Sequence, residues 1–337
     1  MMVLKSIIKN ISLRKIKKLQ YKTGLFGAAS LDVDTGYNKA WIRDNVYMAL
    51  GLEKGKDIKS AKGALQGLFD VFLKHEYKID WAIKEKPDDK YKYIHARFCP
   101  FTFEEFHEDW GNKQNDAVGA FLFKIGDLYK QGIMVIRNEN DLRITQKLVY
   151  YLESIQYWHD PDNGVWENDE EVHASSIGAC VAGLVAVKQI VDVPNHIIEN
   201  GRNELNNLLP RESQMHEVDL ALLTLIYPYN IVSNEQRDQI LENVERLLVR
   251  KKGVVRYFGD WYYNNGKEAE WVMGFPWLAS VYKQIGNKEK YDHYMLKTYS
   301  CMNWKGDLPE LYYGGTTNYN ENTPLGWNHA MLLCAME

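Results

Sequence analysis

Two kinds of helical segment alternate along this chain, and that alternation constrains its fold more than any single motif. One kind is amphipathic. Ile144, Leu148, Tyr151, Leu152 and Ile155 step by three and four, as do Ile240, Val244, Leu247 and Leu248, and the run Val118, Phe121, Leu122, Ile125, Leu128, Tyr129 keeps the same period. The other kind is apolar or small on every side, as in ASSIGACVAGLVAV (174–187) and VDLALLTLIY (218–227). Helices of that composition are buried all round rather than on one face. One-faced and all-buried helices together predict two concentric layers.

Twelve helices are expected, near 3–19, 40–53, 57–74, 113–131, 140–157, 172–191, 195–208, 217–228, 235–250, 269–285, 288–301 and 325–336. Strand patterns are nearly absent, and GVVRYF (253–258) is the best short candidate. Twelve helices of alternating character fit six helical hairpins closed into a ring. Helix count alone leaves a solenoid of helical repeats open. No repeat of fixed length is visible, which argues against one.

The 337 residues carry no linker-like tract or shift in composition, so a single domain over 1–337 is expected. Hydrophobic residues make up 45%, enough for a sizeable core. Lys+Arg at 41 against Asp+Glu at 45 gives a net charge of −4, which supplies no electrostatic footprint for nucleic acid. No apolar run is long enough to span a bilayer. Cys99, Cys180, Cys301 and Cys334 show no paired spacing, and Cys180 and Cys334 lie in apolar helical runs, as buried free thiols do. His95, His107, His173 and His329 are dispersed and form no metal-binding pattern. The basic N-terminus, MMVLKSIIKNISLRKIKKLQ, suits a membrane-surface helix or the first helix of the fold. The spacing of Leu4, Ile7, Ile8, Ile11 and Ile16 favours the second reading. With no export signal and no disulfide framework, a cytoplasmic location is expected.

Chemistry gathers in the connections. Tryptophans 41, 110, 166, 261, 271 and 327 all fall near predicted helix ends, in company with charge. Indole and phenol faces stack on sugar rings, while carboxylates, arginine and amides bind hydroxyls, so such a pocket suits a carbohydrate. The bland alternative is that large aromatics plug the ends of a helical ring. Arg43 and Asp44 stand beside Trp41, where an acid in a first helical turn and a solvated arginine would need no further explanation. Glu167 follows Trp166 and precedes Asp169, Glu170 and Glu171. It could be one member of a solvated acidic loop, but an apolar neighbour and nearby negative charge both raise a carboxyl pKa, as a general acid requires. Glu310 stands apart, between Pro309 and a Leu-Tyr-Tyr run.

Five segments, taken in order, resemble glycoside hydrolase family 15, the glucoamylase family, and also the glucoamylase-like domain of the phosphorylase kinase α and β subunits. They are AWIRDNVY, EDWGNKQNDA, GVWEN…ASS, RYFGDWYYN with GFPWL, and LPEL…TPLGWNHA. The resemblance runs from about residue 24 to the C-terminus. It implies an all-α (α/α)6 toroid of six helical hairpins. It implies inverting hydrolysis of terminal α-linked glucose, with Glu167 as general acid and Glu310 as general base. It places Trp41, Arg43, Asp44, Trp110, Gln114, Asp116, Trp166 and Arg256 around the sugar. An α-glucan oligosaccharide or a disaccharide is then the substrate, and neither metal nor cofactor is needed. Trehalose and α-1,6-glucans belong to the same implied chemistry.

The sequence departs from the family in places. Asn168 follows the acid where fungal members carry a second Glu, and Leu311 follows the base where Gln is common. The chain is short, which favours short oligosaccharides over starch. The rival reading is a non-catalytic sugar-sensing or scaffolding domain, which would have no need to keep both carboxylates together with Arg43 and Asp44. The oligomeric state is not legible.

Overall fold

The structure, a computed structural model, describes residues 2–108 and 110–337, with side chains from residue 5 onward. The side chain of Leu4, expected on the apolar face of the first helix, and Asp109, in the 108–117 connection, lie outside the described part.

Among the described residues there are thirteen α-helices and four two-residue strands. The helices are α1 (Met2–Lys18), α2 (Ile42–Lys54), α3 (Ile58–Lys74), α4 (Glu76–Lys84), α5 (Asn115–Lys130), α6 (Glu139–Ile155), α7 (Ala174–Val187), α8 (Asn195–Leu208), α9 (Leu223–Ile226), α10 (Asn234–Leu247), α11 (Gly274–Gln284), α12 (Lys288–Ser300) and α13 (Gly326–Met336). Strands β1 (Ala40–Trp41) and β2 (Arg97–Phe98) pair antiparallel, as do β3 (Glu270–Trp271) and β4 (Leu311–Tyr312).

The two helix types separate as the sequence pattern requires. Helices α2, α5, α7, α9, α11 and α13 are buried along nearly their whole length. Each packs on the next, and α13 packs on α2, so the inner ring closes. Helices α1, α3, α6, α8, α10 and α12 bury one face each and form the outer layer, every one against an inner neighbour. This is the (α/α)6 toroid.

The tightest seam is between α5 and α7, where glycine lets two backbones touch. A Cβ on Gly119 would sit 2.4 Å from the Ala179 carbonyl carbon, and one on Gly126 would sit 2.4 Å from that of Ala186. Outer helices α3, α6, α10 and α12 begin with side-chain caps from Asp57, Asn138, Ser233 and Asn287. The inner helices have no cap of their own. Buried carboxylates from neighbouring connections serve two of them instead: Asp162 accepts from Asn115 N at 2.7 Å, and Glu212 accepts from Ser175 N at 3.1 Å. These bonds tie the connections to one another at the end of the ring that carries the inner-helix N-termini.

Several expectations need correction. Helix α4 was not foreseen; its buried side is Lys78, Ile79 and Ala82, and the lysine hides the apolar period. The helix expected over 269–285 begins at Gly274, because Glu270 and Trp271 are drawn into β3. The one expected over 217–228 is a 3-10 turn (Leu220–Leu222) running into the short α9. GVVRYF forms no strand, only single bridges from Val254 to Val249 and Trp271 and from Tyr257 to Asp219. On α1, Ile8 and Ile16 are buried, but Ile7 is 51% exposed, and Ser12 takes a buried place, bonded to His329. All four cysteines are free. Among the described residues no helix is long and apolar enough to cross a membrane.

Candidate active site

Five of the inner helices, α2, α5, α7, α11 and α13, are entered from the connections that carry the aromatic and acidic residues. Their N-termini therefore meet at one end of the ring, where the helix dipoles add positive potential. A cavity of about 400 Å3 lies there. Trp41, Arg43, Asp44, Trp110, Trp166, Glu167, Arg256 and Glu310 all line it. Residues distant in sequence are thus brought to one place by the closure of the ring.

Arg43 is fixed from below. Its Nη1 donates to both oxygens of Asp116, at 2.9 and 2.8 Å, and its Nη2 lies 3.6 Å from Glu167 Oε1. Burial opposes its charge, but Asp116 and Glu167 more than compensate, so it stays a firm cation. Asp44, the next residue, also faces the cavity. Burial lifts its pKa to about 7 against the pull of Arg43.

Glu167 sits on a left-handed residue, with φ of 63°, in a loop that turns at Gly164. A side chain with a Cβ pays strain in that region, and such strain collects at functional positions. The loop is held by Asn163, whose side chain bonds Lys113 N and Asn168 O. Trp110 Nε1 donates to Glu167 Oε2 at 3.1 Å. Burial raises the Glu167 pKa, with Arg43, Arg97 and Arg256 pulling the other way.

Glu310 is nearly inaccessible, at 1% exposure, and still borders the cavity. Its Oε2 accepts from the side-chain amides of Asn320 and, at 2.8 Å, Asn322. Burial raises its pKa, and those amides and Tyr37 counter it by favouring the ionised form. The pairing of β3 with β4 sets Trp271 opposite Leu311, and Val272 N donates to Glu310 O at 3.1 Å. The two connections that carry Arg256 and Glu310 are thereby joined.

The walls are aromatic and braced. Trp166 donates its indole N–H to Asp219 at 2.7 Å. Arg256 forms a two-pronged ion pair with Asp260 and lies 4.4 Å from the Trp271 ring and 5.4 Å from Trp166. Trp327 stacks on Tyr47 at 4.5 Å beneath the cavity.

Two residues of the expected binding set do not line the cavity. Asp116 lies under Arg43, and Gln114 folds back to donate to Gly111 O at 2.7 Å. They hold the wall in place. Sequence reasoning missed Tyr37, Tyr262 and the two asparagines on Glu310. Tyr37 and Tyr262 share a hydrogen bond at 2.9 Å and both line the cavity. Arg97 was also missed: β pairing sets it opposite Trp41, and its guanidinium lies 4.3 Å from the Trp110 ring. A tyrosine in a loop and an arginine on a two-residue strand carry no periodic signal.

A helical ring that brings three carboxylates, two arginines and aromatic walls together at its inner helix starts has the architecture of the six-hairpin glycosidases. The sequence model of the family described as Glycosyl hydrolases family 15 matches residues 3–290, and the chain belongs to that family. Among solved structures it is similar to a wild-type glycosidase (TM-score 0.83, 19% identity, covering 98% of this chain and 96% of that one). It is also similar to the glucoamylase of Hormoconis resinae (TM-score 0.70, 13% identity, covering 99% and 73%). Among curated proteins it is 30% identical over 266 residues to a probable phosphorylase b kinase regulatory subunit alpha of Caenorhabditis elegans, covering 66% of this chain and 21% of that one. It is 27% identical over 341 residues to a probable regulatory subunit beta of Drosophila melanogaster, covering 83% and 30%. The chain thus spans less than a third of the length of these two curated relatives.

Proposed function

We propose that the chain is an inverting, exo-acting α-glucosidase of the glucoamylase type, which removes terminal α-linked glucose from short oligosaccharides or a disaccharide. The observation that carries this reading is that Glu167 and Glu310 border one cavity together with Arg43, Asp44 and stacked aromatic walls. Glu167 protonates the departing glycosidic oxygen. Glu310 takes the proton of a water that attacks the anomeric carbon from the opposite face, which inverts the configuration. Arg43 and Asp44 bind hydroxyls of the terminal glucose, and Arg256 with Trp41, Trp110 and Trp166 encloses it. A glycosidase variant solved in complex with glucose, similar at TM-score 0.84 and 20% identity, supports a sugar ligand for this cavity.

The names of the curated relatives favour a second reading, a sugar-binding domain that does not turn over. Proton NMR of a fresh reaction with maltose, isomaltose or maltotriose separates them, whereas α,α-trehalose under inversion gives α- and β-glucose in equal amounts. β-Glucose as first product supports hydrolysis with inversion. α-Glucose first overturns the mechanism, and binding without turnover leaves the sensing domain.

A further inference from the structure

Trp110 bonds Glu167, and Trp110 is itself held by a cation that stands outside the cavity lining. The Arg97 guanidinium lies 4.3 Å from the Trp110 ring, 5.1 Å from Trp41 and 5.4 Å from Phe106, so three aromatic rings surround it. The pairing of β1 with β2 sets Arg97 opposite Trp41, and Trp41 meets Trp110 edge to face at 6.1 Å. His95 Nδ1 accepts from Arg97 N at 3.0 Å, and the His95 ring lies 5.7 Å from Trp110. A planar guanidinium stacked on an indole restrains the tilt of that ring. The tilt decides whether Trp110 Nε1 reaches Glu167 Oε2, 3.1 Å away.

The charge of Arg97 is also less well balanced than that of the other two arginines acting on Glu167, Arg43 and Arg256. Those two are each paired with a buried carboxylate, Asp116 and Asp260. Among the described residues the carboxylate partner of Arg97 is Glu108, whose side chain is 55% exposed and which also takes Lys39 Nζ at 2.9 Å. Two cations share one solvated carboxylate. Water screens that acid, while the buried Arg97 keeps its field within the protein. A buried, loosely paired arginine does little for stability. It suits a place where negative charge develops. Under the glucosidase reading, on which this inference rests, that place is Glu167, which turns from neutral acid to carboxylate as its proton passes to the departing glycosidic oxygen.

We propose that Arg97 is a positioning residue for the acid step, its plane fixing the Trp110 indole on Glu167 and its charge favouring the carboxylate that forms as the proton leaves. Arg97 does not line the cavity and acts through Trp110 and through space. Burial, the largest influence on Glu167, raises its pKa, and Arg97 with the other two arginines opposes that. Asp44, Glu310, Tyr37 and Tyr262 face the same cavity, and Asp169 and Glu170 follow Glu167 in its loop. His95, brought down to about 3 by burial and by Lys78 and Arg97, is neutral near pH 7.

The test follows kcat/KM against pH in the full chain, with maltose and with α-glucosyl fluoride. Arg97→Gln is expected to lose about ten- to a hundred-fold with maltose, while the fluoride, which needs little protonation, is nearly unaffected. Loss of a cation lets the acid keep its proton to higher pH, so the alkaline limb with maltose should move up. Arg97→Lys keeps the charge without the planar fork and should return the limb to its place with only part of the rate. Glu108→Gln, at an exposed site, removes the counter-charge and should move the limb down, and it tests the charge even where Arg97→Gln fails to fold. A limb unmoved by Glu108→Gln, or equal losses on both substrates in Arg97→Gln, overturns the inference and leaves the glucosidase reading standing. A wild type that turns over neither substrate overturns both.

Discussion

Both oxygens of the Asp116 carboxylate accept from a single nitrogen of Arg43, which leaves the other terminal nitrogen of that guanidinium beside Glu167. The pair is buried, with each side chain 3% exposed. Breaking such a pair strands a charge. Arg43→Ala is expected to cost about 3–5 kcal/mol of stability as well as sugar affinity, because Asp116 remains behind without a partner. Arg43→Ala with Asp116→Ala should recover much of the stability and none of the affinity. Denaturant melts together with maltose titration read both. A single variant of undiminished stability would show that the ion pair contributes little.

Glu167→Gln should slow maltose cleavage by about a hundred- to ten-thousand-fold, the usual share of a general acid. α-Glucosyl fluoride, whose leaving group needs little protonation, should retain far more turnover. Glu310→Gln should disable both substrates, since water must be activated either way. The pH profile carries the same signature. Wild-type kcat/KM should fall at high pH as the acid loses its proton and at low pH as the base gains one, with the two limbs belonging to the pair. In Glu167→Gln acting on the fluoride, only the acidic limb should remain. Persistence of the alkaline limb would assign it to a group other than Glu167.

His173 reports on the loop behind the acid. Burial opposes its charge, but Glu212, whose Oε1 is 3.5 Å from Nδ1, and the nearby Asp162 raise its pKa from 6.5 to about 9. A histidine raised in the folded state contributes stability fully below its unfolded value and loses it as pH rises through its folded one. The Tm should therefore decline between pH 6.5 and 9. Asp162 and Asp219, lifted by burial to about 7 and about 8, act in the same direction. His173→Gln should show a shallower decline over that interval. An identical slope in both proteins would remove His173 from the account.

Gly119→Ala tests the seam between α5 and α7. The added methyl would lie 2.4 Å from backbone atoms of Ala179 and Cys180, so one helix must move. A loss of about 1–3 kcal/mol is expected, with reduced turnover, because α5 and α7 begin at the Asp116 and Glu167 connections. Thermal melts and maltose kinetics together check it. A drop in stability with unchanged kcat would confine the damage to the seam.

The ring was legible because burial writes itself into composition: ASSIGACVAGLVAV cannot face water, and it is α7. Helix α4 was not, because Lys78 occupies a buried place by pairing with Glu105, and an ion pair has no period. Glu270 and Trp271 read as the start of a helix because their partners, Tyr312 and Leu311, lie about forty residues away. The motif residues could be named from the sequence, but not sorted into those that face the cavity and those that stand behind it. Asp116 and Asp44 each lie in the first turn of an inner helix, and only packing decides that one grips an arginine while the other meets the cavity.

The closure of α13 onto α2 has a mechanical consequence. A stack of helical hairpins in a line can fray from either end, one unit at a time. A hoop has no end to start from. Removing any one hairpin exposes the flanks of two neighbours and the axis they surround, so partial unfolding gains little entropy before it forfeits most of the burial. Amide exchange in the six inner helices should then proceed by the same global opening, and the cavity at their N-termini should keep its shape until the whole ring gives way.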